Sequence, residues 1–363
     1  MFVYKPQIKG KAKKGYGISM YTQNLLKELT SEIGISGYEY DFSRTVKKIL
    51  DKYCEKTIIE KSGNVKGFLT PFDKTKKTVL LEAHLDRIGL VVSEVLDNGF
   101  LKFRTMGGVD ERILPASEVY VLGREVCFGV IGEIPPHIKG NSDSLNQAPK
   151  ISDMLIDTGL STEEVKKKIS VGVPILLRSQ FLELEDGKIS SAALDNRAGM
   201  TAIFECLELI KGKTAPVNVC VAFTIGEEMG LLGARTLDFE LEPDLAVIVD
   251  VTHGKTHDSK SLGTFELGTG PIICRGPNLH YEKTNKIIDL AQKTEIPFDV
   301  EVAPDNTGTN AWALQTMEMG IPCALVSIPL RYMHTTVETV CTDDIKNTAR
   351  LLSEIVSGGD KIA

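Results

Sequence analysis

Two adjacent carboxylates, Glu227 and Glu228, follow an apolar run in the sequence VNVCVAFTIGEEMGLLGA, residues 217 to 234. The run 217–224 is short, rich in β-branched residues and without a polar face, which predicts a buried strand. Two like charges at the end of such a strand repel each other, so a positive partner is expected beside them. The alternative is that both are acids in the first turn of a helix starting near Glu228, where the helix dipole favours them.

Other side chains that bind metals stand at the ends of further predicted strands. His84 and Asp86 follow the strand TVLLEA, and residues i and i+2 share a face, so Asp86 is placed to orient His84. Asp195 immediately precedes a predicted helix, where a helix N-cap is the alternative role. Asp250 ends the strand LAVIVD, and His334 follows the strand IPCALVSI.

Strand ends of an α/β sheet are where ligands bind, so these side chains are expected to meet at one locus. Two imidazoles and three carboxylates match the preference of a borderline divalent metal such as Zn²⁺, Co²⁺ or Mn²⁺. If one carboxylate bridges, the five ligands make two sites of three ligands each, with room left for water. One of the two adjacent glutamates can then bind metal while its neighbour contacts that water.

The elements that carry these residues alternate between helix and strand. Residues 20–88 and 190–363 predict a catalytic α/β sheet with helices on both faces. Between them, residues 89–189 contain short strands separated by turn signals, which predict an inserted β-rich domain. Residues 1–19 carry five lysines and no acid, which predicts a disordered basic tail.

The composition excludes several classes of protein. The chain has 363 residues, 25% of them charged and 42% hydrophobic, which is typical of a globular protein of two domains. No apolar stretch approaches the ~20 residues of a membrane span, and the net charge of -7 without a basic block argues against a nucleic-acid partner. Seven scattered cysteines predict buried reduced thiols. The lack of a secretory segment predicts a cytoplasmic location.

Several motifs give the chain a family resemblance. The sequence contains the motifs AHLDRIGL, ALDNRAG, GEEMGLLGA, VDVTH and PLRYMHTTVE, together with GISGYE, VIGEIPPH and ELGTGP. The chain therefore resembles the cytoplasmic tetrahedral (TET-like) aminopeptidases, the glutamyl and deblocking family of co-catalytic metallopeptidases. The resemblance implies a zinc-peptidase-like, three-layer sheet with helices on both faces, and an inserted module at 89–189 that mediates dimerisation. It also implies peptide substrates and dimers that can assemble further into hollow dodecamers.

The resemblance also implies a role for each site residue. Two divalent ions, Zn²⁺ or Co²⁺ with Mn²⁺ as a third choice, would share the bridging carboxylate of Asp195. The remaining ligands would be His84 and Asp250 on one ion, and Glu228 and His334 on the other. Glu227 would be the general base that takes a proton from the water between the metals and passes it to the leaving amine, while Asp86 would orient His84.

Three positions depart from the usual family pattern. Arg87 replaces the Glu of A-H-x-D-E, Asn196 replaces the second Asp of D-D-R, and Asn310 replaces the acid of G-T-D-A. We expect metal binding to be kept, with an altered substrate preference to which Arg87, Asn310 and Arg331 would contribute as substrate contacts. Arg87 would either attract an acidic amino-terminal side chain or only pair with a neighbouring acid.

Other functions remain open from the residues alone. A metal-dependent deacylase or amidohydrolase on small N-acyl substrates would use the same metal ligands. A glycosidase would use paired carboxylates but has no use for His84 and His334. A non-catalytic homologue, inactivated by the three replacements, is the remaining alternative.

Overall fold

The computed structural model describes residues 16–135, 138, 149–237, 243–259, 263–317 and 319–363. Its α-helices are α1 (Tyr16–Ser31), α2 (Tyr40–Leu50), α3 (Thr162–Lys168), α4 (Leu194–Ile210), α5 (Leu232–Arg235), α6 (Tyr281–Lys293), α7 (Ala311–Leu314), α8 (Thr342–Ser357) and α9 (Gly359–Ile362). The strands of the largest sheet are β1 (Lys56–Ile59), β2 (Val65–Phe68), β3 (Thr78–His84), β12 (Asn218–Thr224), β13 (Leu245–His253), β14 (Ile272–Arg275), β15 (Asp299–Val302) and β16 (Cys323–Leu330).

The largest sheet has eight strands in the order β1-β2-β12-β3-β13-β16-β14-β15. Its four central strands, β12, β3, β13 and β16, run parallel. In register, Thr224 pairs with His84, and Asp250 pairs with Ser327. The carboxyl ends of the parallel strands therefore meet at one edge, where the ligands of such sheets bind.

Both faces of this sheet are buried, which explains why its central strands are mainly apolar. Along β13, Val247 and Val249 enter the larger hydrophobic core, which contains residues of α1, α4 and α8, while Ala246 and Ile248 enter a second core with residues of α5 and α7. A strand covered on both faces has no polar side to display. The α/β architecture predicted from the sequence is confirmed at this level.

A second unit is a closed barrel of six strands in the order β4-β5-β8-β7-β6-β9. Its strands are β4 (Gly89–Val95), β5 (Leu101–Met106), β6 (Glu118–Leu122), β7 (Val126–Glu133), β8 (Met154–Asp157) and β9 (Pro174–Leu177). They all come from the stretch of chain between β3 and the short strand β10 (Leu182–Glu183). Alternate side chains point into the barrel, where they form a separate hydrophobic core.

Some boundaries differ from those predicted. The barrel ends at Leu177, because β10 and β11 (Lys188–Ser191) instead form a three-stranded sheet with β17 (Glu338–Cys341). Helix α1 begins at Tyr16, inside the segment 1–19 predicted as a tail; residues 1–15 lie outside the described residues. The helix predicted near AWALQTMEM is only the single turn α7, since residues 315–317 already form a turn and a bend.

Two further predictions concern the membrane and the cysteines. Among the described residues, no helix is long and apolar enough to cross a membrane. All seven cysteines are free, and six of them are buried.

Candidate metal centre

The side chains predicted from the strand ends come together at the carboxyl edge of the sheet. His84 ends β3 and Asp250 lies in β13, while His334 follows β16 and Asp195 stands at the start of α4. The ligand atoms of His84, Asp195 and Asp250 all lie within 4.8 Å of one another, as do those of Asp195, Glu228 and His334. Asp195 belongs to both groups.

Asp195 lies between the two imidazoles, with one carboxylate oxygen toward each. Its Oδ1 is 3.0 Å from His84 Nε2, and its Oδ2 is 3.4 Å from His334 Nε2. On the outer sides, Asp250 Oδ1 is 3.7 Å from His84 Nε2 and Glu228 Oε1 is 3.2 Å from His334 Nε2. The backbone of Asp195 and Asn196 is not helical, and Asn196 Oδ1 accepts the N–H of Gly199, so Asn196 rather than Asp195 caps the regular part of α4.

The protonation of these residues tests whether the centre suits divalent metals. Burial lowers the pKa of His84, but interactions with Asp195, Asp250 and Asp86 outweigh burial and raise this pKa well above its ordinary value. Burial also lowers the pKa of His334, but hydrogen bonds to Asp195 and Glu228 outweigh it and raise this pKa to about 11. The carboxylates therefore draw positive charge into the centre, and a divalent cation would supply that charge in place of the imidazole protons. Imidazole nitrogens and carboxylate oxygens are common ligands of such metals, so these residues fit a divalent metal centre.

The second nitrogen of each imidazole faces an oxygen atom of another residue. The Nδ1–H of His334 donates to the carbonyl oxygen of Gly108, 3.1 Å away, which leaves Nε2 free to act as a ligand. His84 Nδ1 lies 3.4 Å from Asp86 Oδ1, in the orienting position that the sequence predicted. Gly108 follows strand β5 of the barrel, so the barrel contributes directly to the centre.

Asp86 has a second role that the sequence did not indicate. Its carboxylate accepts the backbone N–H groups of both Glu227 (2.9 Å) and Glu228 (3.2 Å). The preceding residue, Gly226, donates its N–H to Glu39 Oε1 at 3.1 Å and has φ +58, a left-handed conformation that favours glycine. The turn carrying the two glutamates is thus fixed by two buried carboxylates from elsewhere in the chain.

Ser36 and Glu338 complete the support and were also missed. Ser36 Oγ donates to Asp86 Oδ2 at 2.5 Å. Glu338, buried on β17, accepts the N–H of His334 at 2.9 Å and that of Asp195 at 3.2 Å, so one side chain positions two of the predicted ligands. Both residues lie in motifs that carry the family resemblance, Ser36 in GISGYE and Glu338 in PLRYMHTTVE, but neither motif indicates the hydrogen bonds that these side chains make.

The carboxylate of Glu227 is held differently from its neighbours. No hydrogen bond from a described residue holds it, although it lines the cavity of the centre. Burial, followed by the nearby charges of Asp250, Glu228 and Asp195, raises its pKa to about 9, against the opposing field of His84. Cations bound by the neighbouring ligands would lower this pKa, and a carboxylate without a fixed hydrogen-bond partner is then able to accept and return a proton. Helix α5 begins only at Leu232, so neither glutamate is in the first turn of a helix.

The two amides that replace family acids have structural partners. Asn196 donates to the carbonyl oxygen of Val249 at 2.8 Å and accepts from Gly199 N–H at 3.1 Å. Asn310 donates to Glu82 Oε1 at 2.8 Å and to Thr224 Oγ1 at 2.9 Å. At position 310, the amide supplies donors to Glu82, where a carboxylate would add a second buried negative charge.

Arg87 and Arg331, with Asn310, were the predicted substrate contacts. Arg87 is buried, and burial lowers its pKa to about 10 against the opposing charge of Glu338. Arg331 donates to the carbonyl oxygen of Lys255. None of these three side chains is among the described residues that line the cavity. Among the described residues Arg87 forms no ion pair, and its buried Nε has no hydrogen-bond partner, so the charge of Glu338 acts on it only from a distance.

The centre opens into a cavity of about 650 Å³, a size that holds a small ligand or the end of a peptide. The acids Asp195, Glu227, Glu228 and Asp250 line this cavity, and so do apolar side chains such as Leu325 and Trp312. The cavity therefore combines charged and apolar surface.

Comparisons with known proteins relate the chain to a family of aminopeptidases. The model of the family described as M42 glutamyl aminopeptidase matches residues 63–351. The lysyl aminopeptidase of Pyrococcus furiosus is 30% identical to this chain, in an alignment that covers 93% of this chain and 97% of the relative. The solved structure of aminopeptidase APDkam598 from Desulfurococcus kamchatkensis has a TM-score of 0.86 and 31% identity, covering 94% of this chain and 95% of its own. The TET1 peptidase of Pyrococcus horikoshii, which can assemble into a tetrahedron or a large octahedral shell, has a TM-score of 0.81 and 27% identity over 92% of this chain and 99% of its own.

Proposed function

The chain belongs to the M42 glutamyl aminopeptidase family and is a peptide hydrolase, and we propose that it releases residues from free peptide amino termini at a centre of two divalent metals. The observation that carries the proposal is the position of Asp195, whose two oxygens face two different imidazoles. A bridging carboxylate requires this arrangement. Zn²⁺ or Co²⁺ would be held by His84 and Asp250 on one side of Asp195, and by Glu228 and His334 on the other.

The chain's own residues would then carry the proton transfers. When bound, the two metals supply Lewis acidity, which polarises the scissile carbonyl and lowers the pKa of water. The Glu227 carboxylate accepts the proton of the attacking water and delivers it to the nitrogen of the leaving amine. Asp86 keeps this carboxylate in place through the Glu227 N–H, and also orients His84. Ser36 in turn fixes Asp86.

The relatives favour an aminopeptidase over a deacylase with the same metal ligands. The family model that matches this chain describes a glutamyl aminopeptidase, and the relative that is 30% identical is a lysyl aminopeptidase. The nature of the assembly follows from the resemblance alone: we propose that the barrel pairs two chains, and that such dimers build a larger shell in the cytoplasm.

A comparison of free and blocked substrates tests this function. We expect the metal-loaded protein to hydrolyse leucyl and lysyl peptides with free amino termini and to leave the N-acetylated peptides intact. EDTA should abolish the activity, and Zn²⁺ or Co²⁺ should restore it. The measurement is product release by chromatography on one purified sample. Preferential cleavage of the acetyl group would instead identify a deacylase, and activity that survives complete metal removal would contradict the metal centre.

A further inference from the structure

A fifth acid, Glu301 on β15, lines the cavity but has no part in the metal centre. Its Oε1 accepts a hydrogen bond from Thr252 Oγ1 at 3.1 Å. The side chain is half-buried, and burial raises the pKa of the carboxyl group. No lysine or arginine among the described residues forms an ion pair with it. Its ionised form therefore lacks a strong positive partner in the free protein.

Thr252 links this carboxylate to the metal centre. Thr252 and the proposed metal ligand Asp250 are two residues apart on β13, which places them about 7 Å apart along one face of the strand. This separation is similar to the reach of a lysine's four-carbon stem. A residue whose peptide bond lies at the metal centre can thus bring the end of a long side chain to Glu301.

The walls of the cavity suit the stem of such a side chain. Leu231, Leu325, Trp312 and Met333 line the same space. Lysine and arginine bury their methylene groups along apolar surface while the charged end finds a polar partner. Apolar wall residues, together with a carboxylate outside the metal centre that has no basic partner among the described residues, are the features needed to bind a long, positively charged side chain.

The other charged groups of the cavity do not offset Glu301. Arg235 also lines the cavity, but it is exposed and its Nε already donates to the carbonyl oxygen of Gly230 at 3.2 Å. The field of an exposed cation is screened by water, whereas that of a partly buried carboxylate is screened less. His253, the one side chain whose charge acts on Glu301, is exposed as well.

We propose that Glu301 binds the positively charged side chain of the substrate's amino-terminal residue, so that the enzyme prefers peptides beginning with lysine or arginine. This inference rests on the proposed function, since it names the substrate of the same site. It replaces the expectation that Arg87 selects acidic residues, because Arg87 does not line the cavity.

Kinetics with lysyl-, arginyl-, leucyl- and glutamyl-p-nitroanilide test the preference. For the metal-loaded full chain, we expect kcat/KM for the lysyl and arginyl substrates to exceed that for leucyl by about 10- to 100-fold. Glutamyl should be the poorest substrate. Glu301→Gln should lower the lysyl-to-leucyl ratio by a similar factor. Asp305→Asn removes an acid four residues away that does not line the cavity, and it should leave the ratio unchanged.

Binding of free amino acids gives a second measurement that does not need turnover. L-norleucine has the same stem as L-lysine but lacks its ammonium group. We expect calorimetry to show that wild type binds L-lysine at least about tenfold more tightly, and that Glu301→Gln removes the difference. Equal binding by wild type, or an unchanged lysyl-to-leucyl ratio in Glu301→Gln, would overturn the inference. Absence of hydrolysis of every aminoacyl substrate, with selective lysine binding intact, would overturn the proposed function and leave the subsite standing.

Discussion

Replacing Glu227 by glutamine is expected to lower kcat by about 10²- to 10⁴-fold while the protein keeps its metals. Glutamine has nearly the same shape but cannot accept a proton. The backbone N–H of residue 227 would still bind Asp86, so the turn should keep its conformation. Because Glu227 belongs to neither group of candidate metal ligands, its loss should not empty the centre.

The neighbouring residue provides the control for this variant. Glu228 is a candidate ligand, so Glu228→Gln should lose bound metal as well as activity. The measurements are kcat on a lysyl substrate and the metal content of the same sample by mass spectrometry. A Glu227→Gln enzyme with more than a tenth of the wild-type kcat would show that the proton goes elsewhere. Loss of metal from this variant would show that the roles of the two glutamates are reversed.

Replacing Asp195 by asparagine is expected to weaken both metal sites at once and to abolish activity. Its two oxygens face His84 and His334 separately, and an amide offers one oxygen and one N–H group in their place. The loss of metal affinity should exceed the about 10- to 100-fold that removal of an outer-shell partner costs. Asp250→Asn should weaken chiefly the site on the His84 side.

Metal content per chain and activity measure this effect. Glu208→Gln, an exposed acid on the same helix α4 and outside the cavity, should retain both the metal and the activity of wild type. Thermal unfolding of the metal-free proteins checks that each variant is folded. An Asp195→Asn protein that binds as much metal as wild type would be incompatible with a bridging role.

The position of the site was predictable because it follows from the topology of the sheet. Parallel strands place their carboxyl ends at one edge, so His84 and Asp250 could be expected to meet although 166 positions separate them. The buried strands themselves were recognisable from apolar runs such as LAVIVD. The adjacent glutamates were recognisable because two negative charges at the end of a buried strand need a positive partner.

The supporting residues were not predictable in the same way. Glu338, Glu39 and Ser36 act through hydrogen bonds that depend on how distant segments pack. All three lie in motifs that carry the family resemblance, but the local sequence does not indicate which distant group each side chain contacts. Glu301 lies in the alternating strand FDVEVA, and only the folded structure shows that its side chain enters the cavity. The closure of the barrel also depends on strands β8 and β9, which are too short to give a clear periodicity.

The central claim is that two metals share Asp195. The most direct measurement is a crystal structure of the metal-loaded protein with anomalous scattering recorded at the absorption edge of zinc or cobalt. We predict two peaks in each chain, about 3.5–4 Å apart, each about 2.0–2.2 Å from a different oxygen of Asp195. One peak at saturating metal, or two peaks that do not share this carboxylate, would contradict the claim.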